Sequence, residues 1–123
     1  MISYRLSDES GVLMVTYSGT INKDEIIDYI SNIIKDIELP KDILILYNAL
    51  KANLDINQSD LFKLAEMVRL SLGKFNTVKE AFIHGSPLGV AFSMIFGMSV
   101  NDSRYKCKVF STEAAAFKWL KSE

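Results

Sequence analysis

Residues 86–100 read Ser-Pro-Leu-Gly-Val-Ala-Phe-Ser-Met-Ile-Phe-Gly-Met-Ser-Val and contain no charged side chain. Ser86 is placed to cap a helix and Pro87 to occupy its first turn, a strong start signal. Surface helices of globular proteins carry one apolar stripe and one polar face. A helix from this segment has no polar face, so it must be covered by its own protein, by a second chain, or by a bound apolar molecule. Gly89, Ser93 and Gly97 are four apart and share one side. Leu88, Phe92, Ile95 and Phe96 cover another, and Met94 and Met98 a third. One side is expected to pack on a sheet, the small-residue side to meet a neighbouring helix, and the large apolar side to be left over. The stretch is too short for a bilayer, which takes about 20 apolar residues.

The rest of the composition narrows the class. A chain of 123 residues is long enough to bury a core as one domain spanning 1–123. Hydrophobic residues make up 49% and charged residues 24%, the balance of a globular protein. The net charge is -1 and neither sign forms a long block, so the electrostatic footprint of a nucleic-acid binder is missing. A lone cysteine, Cys107, has no internal disulfide partner, which fits a reducing compartment. Met1-Ile2-Ser3-Tyr4-Arg5 lacks the basic-then-apolar order of a signal peptide. The expectation is a cytoplasmic protein without stable membrane insertion.

Along the chain, strands and helices alternate with short connections. Tyr4–Leu6 and Val12–Tyr17 are strand-like around a turn-rich Ser7–Gly11. Asn22 is placed as an N-cap with Glu25 in the capping-box position, and Ile26, Ile30, Ile33, Ile34 and Ile37 follow at helical spacing up to Pro40. Ile43–Tyr47 is a continuous apolar run, as in a strand covered on both faces. Asn48–Asn57 reads as the longest connection. A helix from Gln58 to Leu72 turns Leu61, Leu64, Ala65, Val68 and Leu72 inward and Lys63, Glu66 and Arg69 outward, with Gly73 as its stop. Val78–Ile83 is a further buried strand. After the apolar helix, Asn101-Asp102-Ser103 is a turn and Tyr105–Phe110 alternates lysine with apolar residues, a pattern suited to an edge strand. A last helix starts at Ser111 or Thr112 and runs to Leu120. The order β-β-α-β-α-β-α-β-α predicts a mostly parallel five-stranded sheet with helices packed against it.

Three segments carry a family likeness: Val15-Thr16-Tyr17-Ser18-Gly19-Thr20-Ile21 leading into a capped helix, the strand Ile43–Tyr47, and the close Val109-Phe110-Ser111-Thr112-Glu113-Ala114-Ala115-Ala116-Phe117-Lys118-Trp119-Leu120. With this order of elements the chain resembles the SpoIIAA-like group, which contains the STAS domains, and is most similar to its small stand-alone bacterial members of unknown function. The resemblance implies a non-enzymatic regulatory or binding module. In STAS antagonists a serine opening the helix after the third strand is phosphorylated to control a partner. The matching position here is Ser59, where Asp60-Leu61-Phe62 replace the small residues and glycine of that motif. A phosphate at a helix start is favoured, and one beside Asp60 is opposed. Topological similarity to CRAL-TRIO lipid-transfer domains implies a second role, the carriage of a lipid-like molecule.

Candidate chemistry is sparse. His84 is the only histidine, so a multi-histidine metal site is excluded, and no cofactor motif is present. His84 does lie at the carboxyl end of a strand, where α/β sheets gather functional groups, and the helix start at Ser86 offers free N–H groups to an anion. Cys107 is expected in mid-strand, on a different level from His84 and turned into the core, a setting that suppresses nucleophilicity. Gly85-Ser86-Pro87 is not a nucleophile elbow. No base or nucleophile sits in a credible catalytic setting, and the reading is non-enzymatic. The expected contact residues are Leu88, Phe92, Met94, Ile95, Phe96 and Met98, either in a homodimer interface or around a small apolar ligand, with Ser59 the candidate phosphosite.

Overall fold

The computed structural model describes residues 1–122. In chain order the elements are β1 (Ile2–Leu6), β2 (Val12–Asn22), α1 (Lys23–Lys35), β3 (Asp42–Asp55), α2 (Gln58–Ser71), β4 (Thr77–His84), α3 (Pro87–Val100), β5 (Tyr105–Phe110) and α4 (Glu113–Leu120). The strands form one five-stranded sheet in the order β1-β2-β3-β4-β5. β1 is antiparallel to β2, and the remaining three pairings are parallel. The mostly parallel α/β architecture expected from the sequence is the one observed.

Because strand side chains alternate between faces, the sheet carries two separate cores. On one face Leu13, Val15, Tyr17, Ile43, Ile45, Tyr47, Val78 and Phe82 pack with α1, α2 and the end of α3. On the other, Val12, Leu46, Ala81 and Ile83 pack with Ala116 and Leu120 of α4. The inner side of α2 is as anticipated: Leu61, Leu64, Ala65, Val68 and Leu72 are all buried. Asn57 starts that helix with a complete capping box. Its Oδ1 accepts from the Asp60 N–H at 2.8 Å, and the Asp60 carboxylate accepts from the Asn57 N–H at 3.1 Å.

Several expectations need correction. Asn22 caps α1 by accepting from the Glu25 N–H at 3.0 Å, but Glu25 does not return the bond; its carboxylate lies 3.4 Å from the terminal ammonium of Met1 instead. α1 ends at Lys35, and Ile37, counted in its apolar series, is 90% exposed. The larger correction concerns Asn48–Asn57, which is not a connection. β3 continues to Asp55 and pairs with Ser18–Asn22 of a longer β2. Between Thr16/Asn48 and Ser18/Lys51 the register shifts, β3 carrying one extra residue. Asn48 Oδ1 accepts from the Leu50 N–H at 3.1 Å at this bulge. An extra residue exchanges the two faces of the strand that follows. Ile45, Tyr47 and Ala49 face α1 and α2 before the bulge, and Ala52 and Leu54 do so after it. A period of two that changes phase within one strand looks like no period at all.

The small side of α3 also goes elsewhere than expected. It lies on the sheet rather than on a neighbouring helix. A Cβ on Gly97 would stand 3.0 Å from both Cβ and Sγ of Cys107 on β5, and a Cβ on Gly89 would stand 2.6 Å from His84 Nδ1 on β4. The Gly97→Leu variant therefore forces α3 off β5, and urea denaturation should show a loss of about 1–3 kcal/mol. Met98→Leu, one position on and facing solvent, should stay within about 0.5 kcal/mol of the parent.

Candidate functional site

With Gly89, Ser93 and Gly97 against the sheet, the large residues of α3 divide between its two remaining sides. Phe92 and Phe96 turn inward. Phe96 meets Phe82 and Tyr105 edge-on, each with ring centres 6.4 Å apart, while Phe92 closes a cavity shared with α1 and α2. Ile95 is half-buried. Leu88, Met94 and Met98 turn outward and are 59%, 56% and 77% exposed. Of the six contact residues expected from the sequence, Leu88, Met94 and Met98 face outward, and Phe92, Ile95 and Phe96 are partly buried. Beside the stripe an open groove of about 460 Å³ runs between α3 and β5, walled by Met94, Gly97, Met98, Cys107, Lys108 and Val109.

Beneath α3 lies a group of residues that the sequence reading passed over. Glu80, in the middle of β4, is only 4% exposed. Its Oε2 accepts from the Tyr47 hydroxyl at 2.7 Å, and its Oε1 accepts from the Tyr105 hydroxyl. The Tyr29 and Tyr47 oxygens are 2.8 Å apart, so Tyr29 donates to Tyr47 when Tyr47 donates to the carboxylate. Tyr17 meets Tyr47 edge-on at 5.8 Å, and Tyr4 meets Tyr29 at 5.6 Å. All five tyrosines of the chain thus join one cluster, two of them bonded directly to the acid. Burial pushes the Glu80 carboxyl above its ordinary range, while the hydroxyls of Tyr105 and Tyr47 pull it back by stabilising the anion. Burial likewise raises Tyr17, Tyr29, Tyr47 and Tyr105, with the Glu80 charge acting in the same direction. One signal was available in the sequence: an acid in mid-run within Val78–Ile83, sharing its face with Val78 and Phe82.

The cavity under Phe92 and Phe96 has a volume of about 60 Å³ and is lined by Tyr17, Tyr47, Glu80, His84 and Ser93 among aliphatic residues of α1, α2 and β3. A second, of about 40 Å³, shares Tyr29, Ile30, Tyr47, Val68 and Glu80 as its walls. His84 Nε2 is hydrogen-bonded to the hydroxyl of Ser93, itself buried in the middle of α3, and burial lowers the histidine below its usual value. Ser86 caps α3 by accepting from the Gly89 N–H at 3.1 Å. Cys107 lies opposite Glu80 in the ladder and His84 opposite Ala49, so the two stand on different levels. The thiol, 3.9 Å from the Ser93 carbonyl, is pushed up to about 12 by burial and by the Glu80 charge. Ser59 is exposed in the first turn of α2 beside Asp60, whose carboxylate is engaged in the cap; a phosphate there would stand against that charge. Among the described residues no cluster of histidine, cysteine and acids could hold a metal ion, and no helix is long and apolar enough to cross a membrane.

No family model and no curated protein matches the chain. Among solved structures it is similar to an uncharacterized protein of the DUF3478 family from Shewanella loihica PV-4, described as having a SpoIIAA-like fold. The TM-score is 0.61 at 16% identity, covering 98% of this chain and 92% of that one. The chain has a SpoIIAA-like fold, as its segment order implied.

Two measurements test this site. The folded Glu80 carboxyl holds its proton above the value near 4.5 at which an unperturbed carboxyl releases it. Its contribution to stability is complete below that value and is lost as pH rises through the folded one. Glu80→Gln lacks this loss, so its stability relative to wild type should rise between about pH 4.5 and pH 7 in urea unfolding; a pH-independent difference contradicts the assignment. Iodoacetamide should modify native Cys107 roughly a thousandfold more slowly than the urea-unfolded chain at neutral pH, in step with the thiolate fraction.

Proposed function

We propose that this chain is a non-catalytic binding module that works as a homodimer, two copies meeting through the outer flank of α3. The observation that carries this reading is the exposure of Leu88, Met94 and Met98 on a helix that has no charged residue. Leaving one such side chain in water forgoes about 1.5–3 kcal/mol relative to burying it. The stripe itself is uncharged, and the charged residue lining the groove beside it is Lys108. Against a second copy it is self-complementary, as a two-fold interface requires, and the neighbouring groove can seat large apolar side chains of the opposing helix. Methionines adapt their shape readily to such a contact. The turn 85–86 and the bulge of β3 lie at the start of the same helix and border the approach to it.

A second role, the carriage of an apolar molecule, is favoured by the cavity beneath α3. Its volume of about 60 Å³ is far below the roughly 300–1,000 Å³ of sites for drug-sized ligands. Any occupant of that cavity is therefore much smaller than a lipid, and the open groove of about 460 Å³ between α3 and β5 is the cleft beside this helix with room for a larger apolar molecule.

Sedimentation velocity tests the main reading. The wild type should sediment as a dimer at tens of micromolar. The Met94→Glu/Met98→Glu variant should sediment as a folded monomer, its dissociation constant raised about a hundredfold or more. A wild type that remains a single chain at high micromolar concentration overturns it.

A further inference from the structure

Three observations meet in the cavity beneath α3. Glu80 is almost wholly buried, and no lysine, arginine or histidine forms an ion pair with it among the described residues. Each carboxyl oxygen receives one tyrosine hydroxyl, which leaves further lone-pair capacity on both. Tyr17 is 7% exposed and lines the same cavity; its hydroxyl makes no hydrogen bond among the described residues and keeps some accessible surface, since no buried side-chain oxygen or nitrogen there lacks a partner. His84 and Ser93, hydrogen-bonded to each other, also line it, and the remaining wall is apolar, built from residues such as Ile26, Leu54, Leu64 and Phe92.

We infer that this cavity is a binding site for a very small molecule with a short apolar body and one hydrogen-bond donor head, an alcohol or a primary amine, received by Glu80 and Tyr17. The chemistry selects the donor. A ligand carboxylate would bring a second negative charge against Glu80 where little water screens it. A purely accepting head would leave the Glu80 lone pairs unmatched, although Tyr17 could donate to it. An amine would supply the positive charge that the buried carboxyl lacks, whereas an alcohol would answer it with a neutral hydrogen bond. Size sets the rest. An apolar cavity of about 150 Å³ holds benzene, so about 60 Å³ suits roughly three heavy atoms. By the efficiency ceiling for the smallest ligands, such a molecule binds no more tightly than about millimolar. The site is internal to one subunit and does not depend on the dimer.

The test is a titration of the full chain with ethanol, ethylamine, acetonitrile and acetate, followed by methyl NMR of Ile26, Ile30 and Leu64. Ethanol or ethylamine should shift these methyls saturably. Acetonitrile, of similar size but only an acceptor, should bind at least about fivefold more weakly, and acetate should bind least. Saturation by ethylamine alone assigns the site to amines, and saturation by both assigns it to a neutral donor. Tyr17→Phe, which leaves the Glu80 bonds in place, should weaken the binding about fivefold. The proposal is overturned if neither donor saturates the methyls below about 100 mM, if acetonitrile matches ethanol, or if Tyr17→Phe leaves binding unchanged.

Discussion

The close seating of α3 on the sheet governs much of this molecule. Gly89, Ser93 and Gly97 bring the helix so near β4 and β5 that a single added carbon would collide with His84 or Cys107. A helix resting on its small residues must send its large ones sideways. On the inner side Phe92 and Phe96 roof the space above Glu80; on the outer side Leu88, Met94 and Met98 are left to solvent. The internal cavity and the exposed stripe therefore share one cause. Larger residues in the small stripe would lift the helix and change both.

The polar cluster beneath α3 shows how an acid is accommodated without a cation. An isolated carboxylate in such a place is very costly. Here two tyrosine hydroxyls converge on it and a third supports one of them, so the hydrogen bonds point toward the acid. Desolvation still outweighs those bonds in setting its proton affinity. The same rings stack and meet edge-on across β2, β3, β4 and α1, so the network is also the aromatic part of the core.

Much of the architecture was legible in the sequence because local signals agreed with one another. Pro87 with Ser86, the inward series of α2, and the alternation in β5 each marked its element correctly. The second half of β3 was hidden because the bulge after Asn48 exchanges its faces, and Leu54 then reads as a loop residue although it lines the cavity. The direction of α3 was hidden for another reason. Small residues can meet a helix or a sheet equally well, and periodicity does not distinguish the two. Glu80 and its tyrosines lie on different strands and helices, separated by 18 to 33 positions in their hydrogen-bonded pairs. Such a cluster has no local pattern, and only the acid within a buried strand pointed to it.

The claim on which the functional reading depends is that the outer stripe of α3 is covered in solution. Methyl-labelled methionines report this directly when a soluble paramagnetic agent is added. Met1, 71% exposed in a single chain, is an internal standard for an open side chain. At high concentration the Met94 and Met98 methyls should be protected relative to Met1, and dilution should remove that protection. If all three methyls are broadened alike at every concentration, α3 stands uncovered and the dimeric role is wrong.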